Sequence, residues 1–126
     1  MSFCLILTVA LSACDRPSPE QLRARNHLPA PGFVASADQG NILFHEHCAR
    51  CHGAEGSGTP QGPALVSQTY RPGHHSDLSF HWAVKNGVTQ HHWKFGNMPP
   101  QPQISPEDAA NIVAYIRRQQ RKKGIQ

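Results

Sequence analysis

Residues 48 to 52 read Cys48-Ala49-Arg50-Cys51-His52, a C-x-x-C-H pattern. Two thiols separated by two residues can reach the two vinyl groups on one edge of a porphyrin and form thioether bonds. The adjacent imidazole then lies under the iron and can serve as an axial ligand. The pattern therefore predicts one covalently attached haem c, bonded to Cys48 and Cys51, with His52 on the iron.

Two other kinds of site also use a C-x-x-C pair. A thioredoxin-type redox pair normally lies where a strand feeds a helix, but no strand-rich run precedes Cys48. A structural zinc site needs a second ligand pair downstream, and the remaining cysteines, Cys4 and Cys14, lie far upstream. The histidine pairs at 74–75 and 91–92 lack the usual ligand spacing. Haem attachment is therefore the favoured interpretation.

A second axial ligand can be sought among the methionines. The chain has only two, and Met1 would leave with a cleaved signal peptide. If a thioether binds the iron, it therefore belongs to Met98, within Gly96-Asn97-Met98-Pro99-Pro100. The alternative is that Met98 is a packing residue.

Histidine is unusually frequent, with nine in 126 residues, and five of them fall between His74 and His92. They could be solvated loop residues, or His91 or His92 could compete with Met98 for the iron. A third interpretation is a surface copper or zinc site, because imidazole suits both metals. The candidates for that site are His74, His75, His91 and His92. All three interpretations stay open.

The N-terminus predicts export. Residues 3 to 13 form an uncharged apolar run that is too short to span a bilayer and suits a signal peptide, which we assign to residues 1–13. Leu11-Ser12-Ala13-Cys14 resembles the lipobox of bacterial lipoproteins, and the resemblance implies lipid attachment at Cys14. An ordinary cleaved signal is the alternative. Residues 14–35 are rich in proline and are expected to form a membrane tether.

The remaining residues, 36–126, are predicted to form one all-α domain with three main helices. The first runs from about Ser36 or Asp38 to Cys48, and the second from Ser76-Asp77 to Asn86-Gly87. Ser105 caps the third helix, with Pro106 at its first position. An apolar stripe follows at helical spacing: Ala109, Ile112, Val113 and Ile116.

Residues 36 to 120 resemble the class I cytochrome c family, which places C-x-x-C-H at the end of its N-terminal helix. The family crosses that helix over the C-terminal one, and Gly40, Phe44 and Tyr115 match the positions of this contact. Pro63 matches the proline whose carbonyl accepts the ring N–H of the axial histidine. The segment around Met98 resembles the family's ligand loop. The resemblance implies three helices packed around one covalent haem.

The predicted function is one-electron transfer on the periplasmic side of a bacterial membrane, not enzymatic catalysis. Membership of an oxidoreductase complex stays open, as does a soluble periplasmic location. The formal net charge of +4 favours redox partners with acidic docking surfaces, besides the membrane itself, and we expect no nucleic-acid partner. The alternatives are a haem enzyme or small-ligand sensor with a labile distal site, and a histidine-rich protein that handles copper or zinc.

Overall fold

Five α-helices lie in the part of the chain that the structure, a computed structural model, describes: residues 16–126. They are α1 (Pro19–Arg25), α2 (Ala37–His47), α3 (Ala49–His52), α4 (Asp77–Asn86) and α5 (Pro106–Lys122), with single 3-10 turns at Ala54–Gly56 and Gln68–Tyr70. Within residues 16–126 the only β pairing is two isolated bridges, between Thr59 and Gly62 and between Val88 and Met98. The predicted all-α class is confirmed.

The three predicted helices form where their capping signals lie. The Ser36 hydroxyl accepts from the Gln39 amide at the start of α2. Ser105 and Asp108 make a reciprocal capping box at the start of α5, with proline at its first position. Gly87, with φ +72°, ends α4. All three helices lie within about two residues of their predicted bounds.

The crossing of α2 over α5 organises the core. A Cβ atom on Gly40 would overlap the backbone carbonyl of Asn111, so only glycine allows the two helices to approach this closely. One turn further on, the rings of Phe44 and Tyr115 lie 5.3 Å apart between centroids. Around this contact lies one buried apolar cluster: Phe44, Leu65, Ile104, Ala109, Ile112, Tyr115 and Ile116.

The segment before α2 differs from the expected tether. It contains α1, and the last turn of α1 and the residues after it are hydrogen-bonded to the domain. The Ala24 carbonyl accepts from Lys85 Nζ at 2.7 Å, and the His27 carbonyl accepts from His81 Nδ1 at 2.6 Å. The Ala30 amide donates to a Glu107 carboxylate oxygen at 3.1 Å. These contacts are made by backbone groups, which every residue type has. The sequence therefore shows no apolar periodicity that would predict them.

The predicted signal peptide and Cys14 lie outside the described residues, so export and lipid attachment stay predictions. Across residues 16–126, none of the helices combines the length and the apolar character that crossing a bilayer requires.

Candidate haem-binding site

The C-x-x-C-H residues occupy one helical turn. Cys48 ends α2 and precedes α3, and its carbonyl accepts from the amides of Cys51 at 3.1 Å and His52 at 2.9 Å. Residues three and four positions apart share a helix face, so the two thiols and the imidazole lie on the same side of this turn. Because α3 is helical, the spacing of the motif places both thiols and the imidazole where they can bind one ligand together.

Both thiols are half-buried, and neither forms a disulfide in the described chain. Burial, followed by the neighbouring Cys51, raises the pKa of Cys48 to about 11. Redox-active C-x-x-C pairs instead depend on a cysteine whose pKa is lowered. The surroundings of Cys48 therefore do not match a thioredoxin-type site.

The ring of His52 is held by one of its two nitrogens. Nδ1 lies 3.0 Å from the carbonyl oxygen of Pro63, so Nδ1–H donates and the lone pair stays on Nε2. Burial lowers the pKa of His52, against a smaller opposing effect of this hydrogen bond, which favours the neutral, ligating form. This is the contact that the family resemblance implies between these two residues.

The loop that follows α3 binds the carbonyls at the end of the motif. The Gly58 amide donates to the His52 carbonyl at 2.6 Å, and the Thr59 hydroxyl donates to the Cys51 carbonyl at 2.6 Å. Thr59 was not predicted as a site residue. Its role depends on a contact eight residues back in the chain, for which the local sequence gives no signal.

Met98 lies on a separate loop, between α4 and α5. Its amide and carbonyl both pair with those of Val88, at 2.9 Å each, and the side chain is half-buried. The same carbonyl packs against Gly87, where a Cβ atom would overlap it. The structure thus brings together Cys48, Cys51, His52 and Pro63, and it fixes the backbone of Met98 independently.

A family model described as cytochrome c matches residues 37–120. The chain belongs to the cytochrome c family. It therefore carries one covalently bound haem c, and Cys48 and Cys51 fit the attachment motif.

Two curated proteins are similar to this cytochrome. It is 33% identical over 79 residues to the cbb3-type cytochrome c oxidase subunit CcoP of Rubrivivax gelatinosus, an alignment of 61% of this chain and 24% of that subunit. It is 32% identical over 90 residues to cytochrome c oxidase subunit 2 of Alkalihalophilus pseudofirmus, with 64% and 25% covered. The chain thus spans about a quarter of the length of these relatives.

The side chains of this cytochrome fit a covalent haem. Two unpaired thiols lie on one turn with an imidazole whose Nε2 is free, which is the donor set that the cofactor requires. Large apolar side chains on the Met98 loop are partly exposed, with Trp93 at 41% and Phe95 at 42%.

The zinc interpretation of the cysteines finds no support in the described residues. One group of three ligating side chains lies together there, and it consists of His74, His75 and His92. Neither Cys48 nor Cys51 belongs to this group.

Proposed function

We propose that this protein is a monohaem one-electron carrier in which His52 and Met98 are the axial ligands of the iron. The hydrogen bond between His52 Nδ1 and the Pro63 carbonyl carries the proposal, because it aims a neutral Nε2 from the same turn as both thiols. Haem iron supplies reversible cycling between Fe(II) and Fe(III). With both axial positions filled by the chain, no coordination site is open to a substrate, which favours a carrier over an enzyme.

The position of Met98 in a paired loop supports its role as a ligand. Pairing with Val88 and close packing against Gly87 restrict its backbone, and Pro99 and Pro100 stiffen the chain that follows. A thioether is a soft ligand that favours Fe(II), so it raises the reduction potential relative to two histidines.

The histidines that could compete with Met98 have other neighbours. His92 groups with His74 and His75, which favours Met98 over His92 as the sixth ligand. His91 Nδ1 donates to the carbonyl of Thr89 at 3.0 Å, which leaves Nε2 free, so the His91→Gln variant distinguishes His91 from Met98.

Optical spectroscopy of the oxidised protein tests the axial ligands. We expect the weak far-red charge-transfer band of thioether-bound Fe(III), and we expect Met98→Ala to abolish it. His91→Gln and His92→Gln are the matched controls and should retain the band. A high-spin ferric spectrum of the wild type would overturn the carrier proposal in favour of a haem enzyme or sensor.

The names of the two relatives suggest the place of this cytochrome in a respiratory chain. We propose that it delivers electrons to a terminal oxidase, as a subunit or as a separate donor. Reduced protein added to membranes that contain an oxidase should be reoxidised in a cyanide-sensitive reaction. Comigration with the oxidase on a native gel would identify a subunit, and cyanide-insensitive reoxidation would exclude this role.

We also propose that the protein lies on the periplasmic side of the membrane, anchored through lipid on Cys14. Because α1 begins at Pro19 and its last turn contacts α4, few residues separate the anchor from the folded part. At about 3 Å per residue, they hold the domain within roughly 15 Å of the lipid. Cys14→Ala should abolish palmitate labelling and release the protein from membranes, whereas Cys4→Ala should change neither; labelled Cys14→Ala protein would contradict the anchor.

A further inference from the structure

Two loops outside the haem motif bring three histidines together. His74 and His75 follow the 3-10 turn Gln68–Tyr70, and His92 lies in the loop after α4. One ring nitrogen from each residue lies within 4.8 Å of the others. The ring centroids are separated by 4.7 Å for His74 and His75, 5.6 Å for His74 and His92, and 5.3 Å for His75 and His92.

A buried side chain of α5 holds the loop that carries His74 and His75. Arg117 is only 7% exposed, and its guanidinium donates to the carbonyls of Tyr70 and His75. Gln120 donates to the same Tyr70 carbonyl at 2.8 Å. The backbone that carries His74 and His75 is therefore fixed by contacts that do not involve their imidazoles.

The second loop is tied to the first next to the histidines. The indole N–H of Trp93 donates to the hydroxyl of Tyr70 at 3.1 Å, and Trp93 directly follows His92. The ring of Tyr70 also packs on that of His75, with centroids 4.8 Å apart. The same tyrosine thus contacts both loops, which explains why residues 17 positions apart in sequence meet.

A backbone carbonyl orients the central imidazole. His75 Nδ1 lies 2.7 Å from the carbonyl oxygen of Thr69, so Nδ1–H donates and Nε2 keeps its lone pair. Metal-ligating histidines generally make such a bond from the nitrogen that does not bind the metal. His74 and His92 are exposed and can turn their rings toward the same point.

The chemistry of the donors selects the kind of cation. Imidazole nitrogen suits zinc and copper, whereas calcium and magnesium prefer oxygen. Ligand nitrogens lie about 2.0–2.1 Å from Zn(II), so in a tetrahedral site they are about 3.3 Å apart, and the present spacing requires only a small closure of exposed rings.

We propose that His74, His75 and His92 form a binding site for one divalent cation of the zinc and copper class, separate from the haem. Bound there, the cation links the loop after the Gln68–Tyr70 turn to the loop that leads to Met98. Each of the three imidazoles supplies one nitrogen, and water completes the coordination. His91 is not a ligand, although its ring lies 4.3 Å from that of His92 between centroids.

Isothermal titration calorimetry of the oxidised haem-loaded protein with Zn(II) tests the proposal. We expect one equivalent to bind, and we expect His74→Gln and His92→Gln each to weaken binding by about tenfold or more. Both side chains are exposed, so their loss should not impair folding; equal haem absorbance and equal Tm without metal verify this. A parallel titration with Cu(II) should give electron paramagnetic resonance splitting from coordinated nitrogen.

His91→Gln is the matched control, since it removes an adjacent imidazole that the structure places outside the site. It should change the affinity less than twofold. Equal losses in His91→Gln and His92→Gln would show non-specific binding to a histidine-rich surface and overturn the proposal. So would an unchanged affinity when His74, His75 and His92 are replaced together.

Discussion

Among residues 16–126, the side chain of Arg117 makes the largest number of hydrogen bonds. Its guanidinium donates to Asp77 Oδ1, to Gln120 Oε1 and to the carbonyls of Tyr70 and His75. It also lies over the ring of Phe80, 4.9 Å from the centroid. A planar fork with five N–H groups can satisfy all of these partners, which a lysine ammonium cannot do.

Arg117→Lys should therefore lower the free energy of unfolding by about 2–4 kcal/mol, because buried carbonyls lose their donors while the charge stays buried. Arg118→Lys is the matched control on the same helix. Arg118 pairs with Asp38, whose side chain is 90% exposed, so its replacement should cost at most about 1 kcal/mol. Urea unfolding of the haem-loaded proteins measures both. Equal losses would show that the Arg117 contacts do not stabilise the fold.

Some residues of the site can be identified from a local sequence motif, and others can be identified only from the fold. Cys48, Cys51 and His52 were recognisable because their chemistry depends on local spacing. Thr59 and Arg117 were not, since each acts on backbone carbonyls that are brought close only by the fold. The histidine site was proposed from four candidates, and only the structure separates His91 from the other three.

At the scale of elements, the crossing of α2 and α5 depends on the absence of a side chain at Gly40. A helix normally loses stability from glycine, by about 1 kcal/mol relative to alanine. Here the close approach of the Asn111 backbone outweighs that cost, and it allows Phe44 to pack on Tyr115.

Gly40→Ala should lower the free energy of unfolding by about 1–3 kcal/mol, because overpacking at the crossing exceeds the gain in helix propensity. Gly73→Ala is the control, since a Cβ atom there would meet nothing within 4 Å. That change should stay within about 0.5 kcal/mol of the wild type. Denaturant unfolding of both proteins provides the comparison. If Gly40→Ala left the free energy of unfolding unchanged, the two helices could move apart at no cost in stability.

Helices α2, α4 and α5 were predictable because each carries a recognisable signal: a serine at the N-cap in all three, a glycine stop after α4 and an apolar stripe along α5. Helix α1 carries comparable signals, a capping box from Ser18 to Gln21 and a proline at its first position, but the proline-rich composition of residues 14–35 predicts a linker. Its lack of an apolar period outweighed them in the sequence. Helix α3 has only four residues, too few for any period to show.

At the scale of the whole molecule, residues 16–126 have one small buried apolar cluster, and the full sequence carries an excess of positive charge. The cluster lies along the α2–α5 crossing. Exposed cations are spread over several elements, and they include Arg50 inside the haem motif and Arg25 on α1. Charges beside the site of electron exchange act on an approaching partner more strongly than charges beyond a Debye length, about 8–10 Å at physiological salt.

Arg50→Glu should therefore slow electron exchange with an anionic reagent such as hexacyanoferrate(III), and accelerate exchange with the cationic hexaammineruthenium(III). Reversing one charge near contact alters the interaction by roughly 1–2 kcal/mol at low salt, which corresponds to about a five- to thirtyfold change in rate. Arg25→Glu changes the net charge equally at an exposed position on α1, which is hydrogen-bonded to α4 and not to the haem motif, and it should have a much smaller effect. Stopped-flow rates across a range of ionic strength measure both variants, and the differences should shrink as salt increases. If the two variants respond alike, only net charge guides the partner, and the haem motif is not the place where an acidic partner docks.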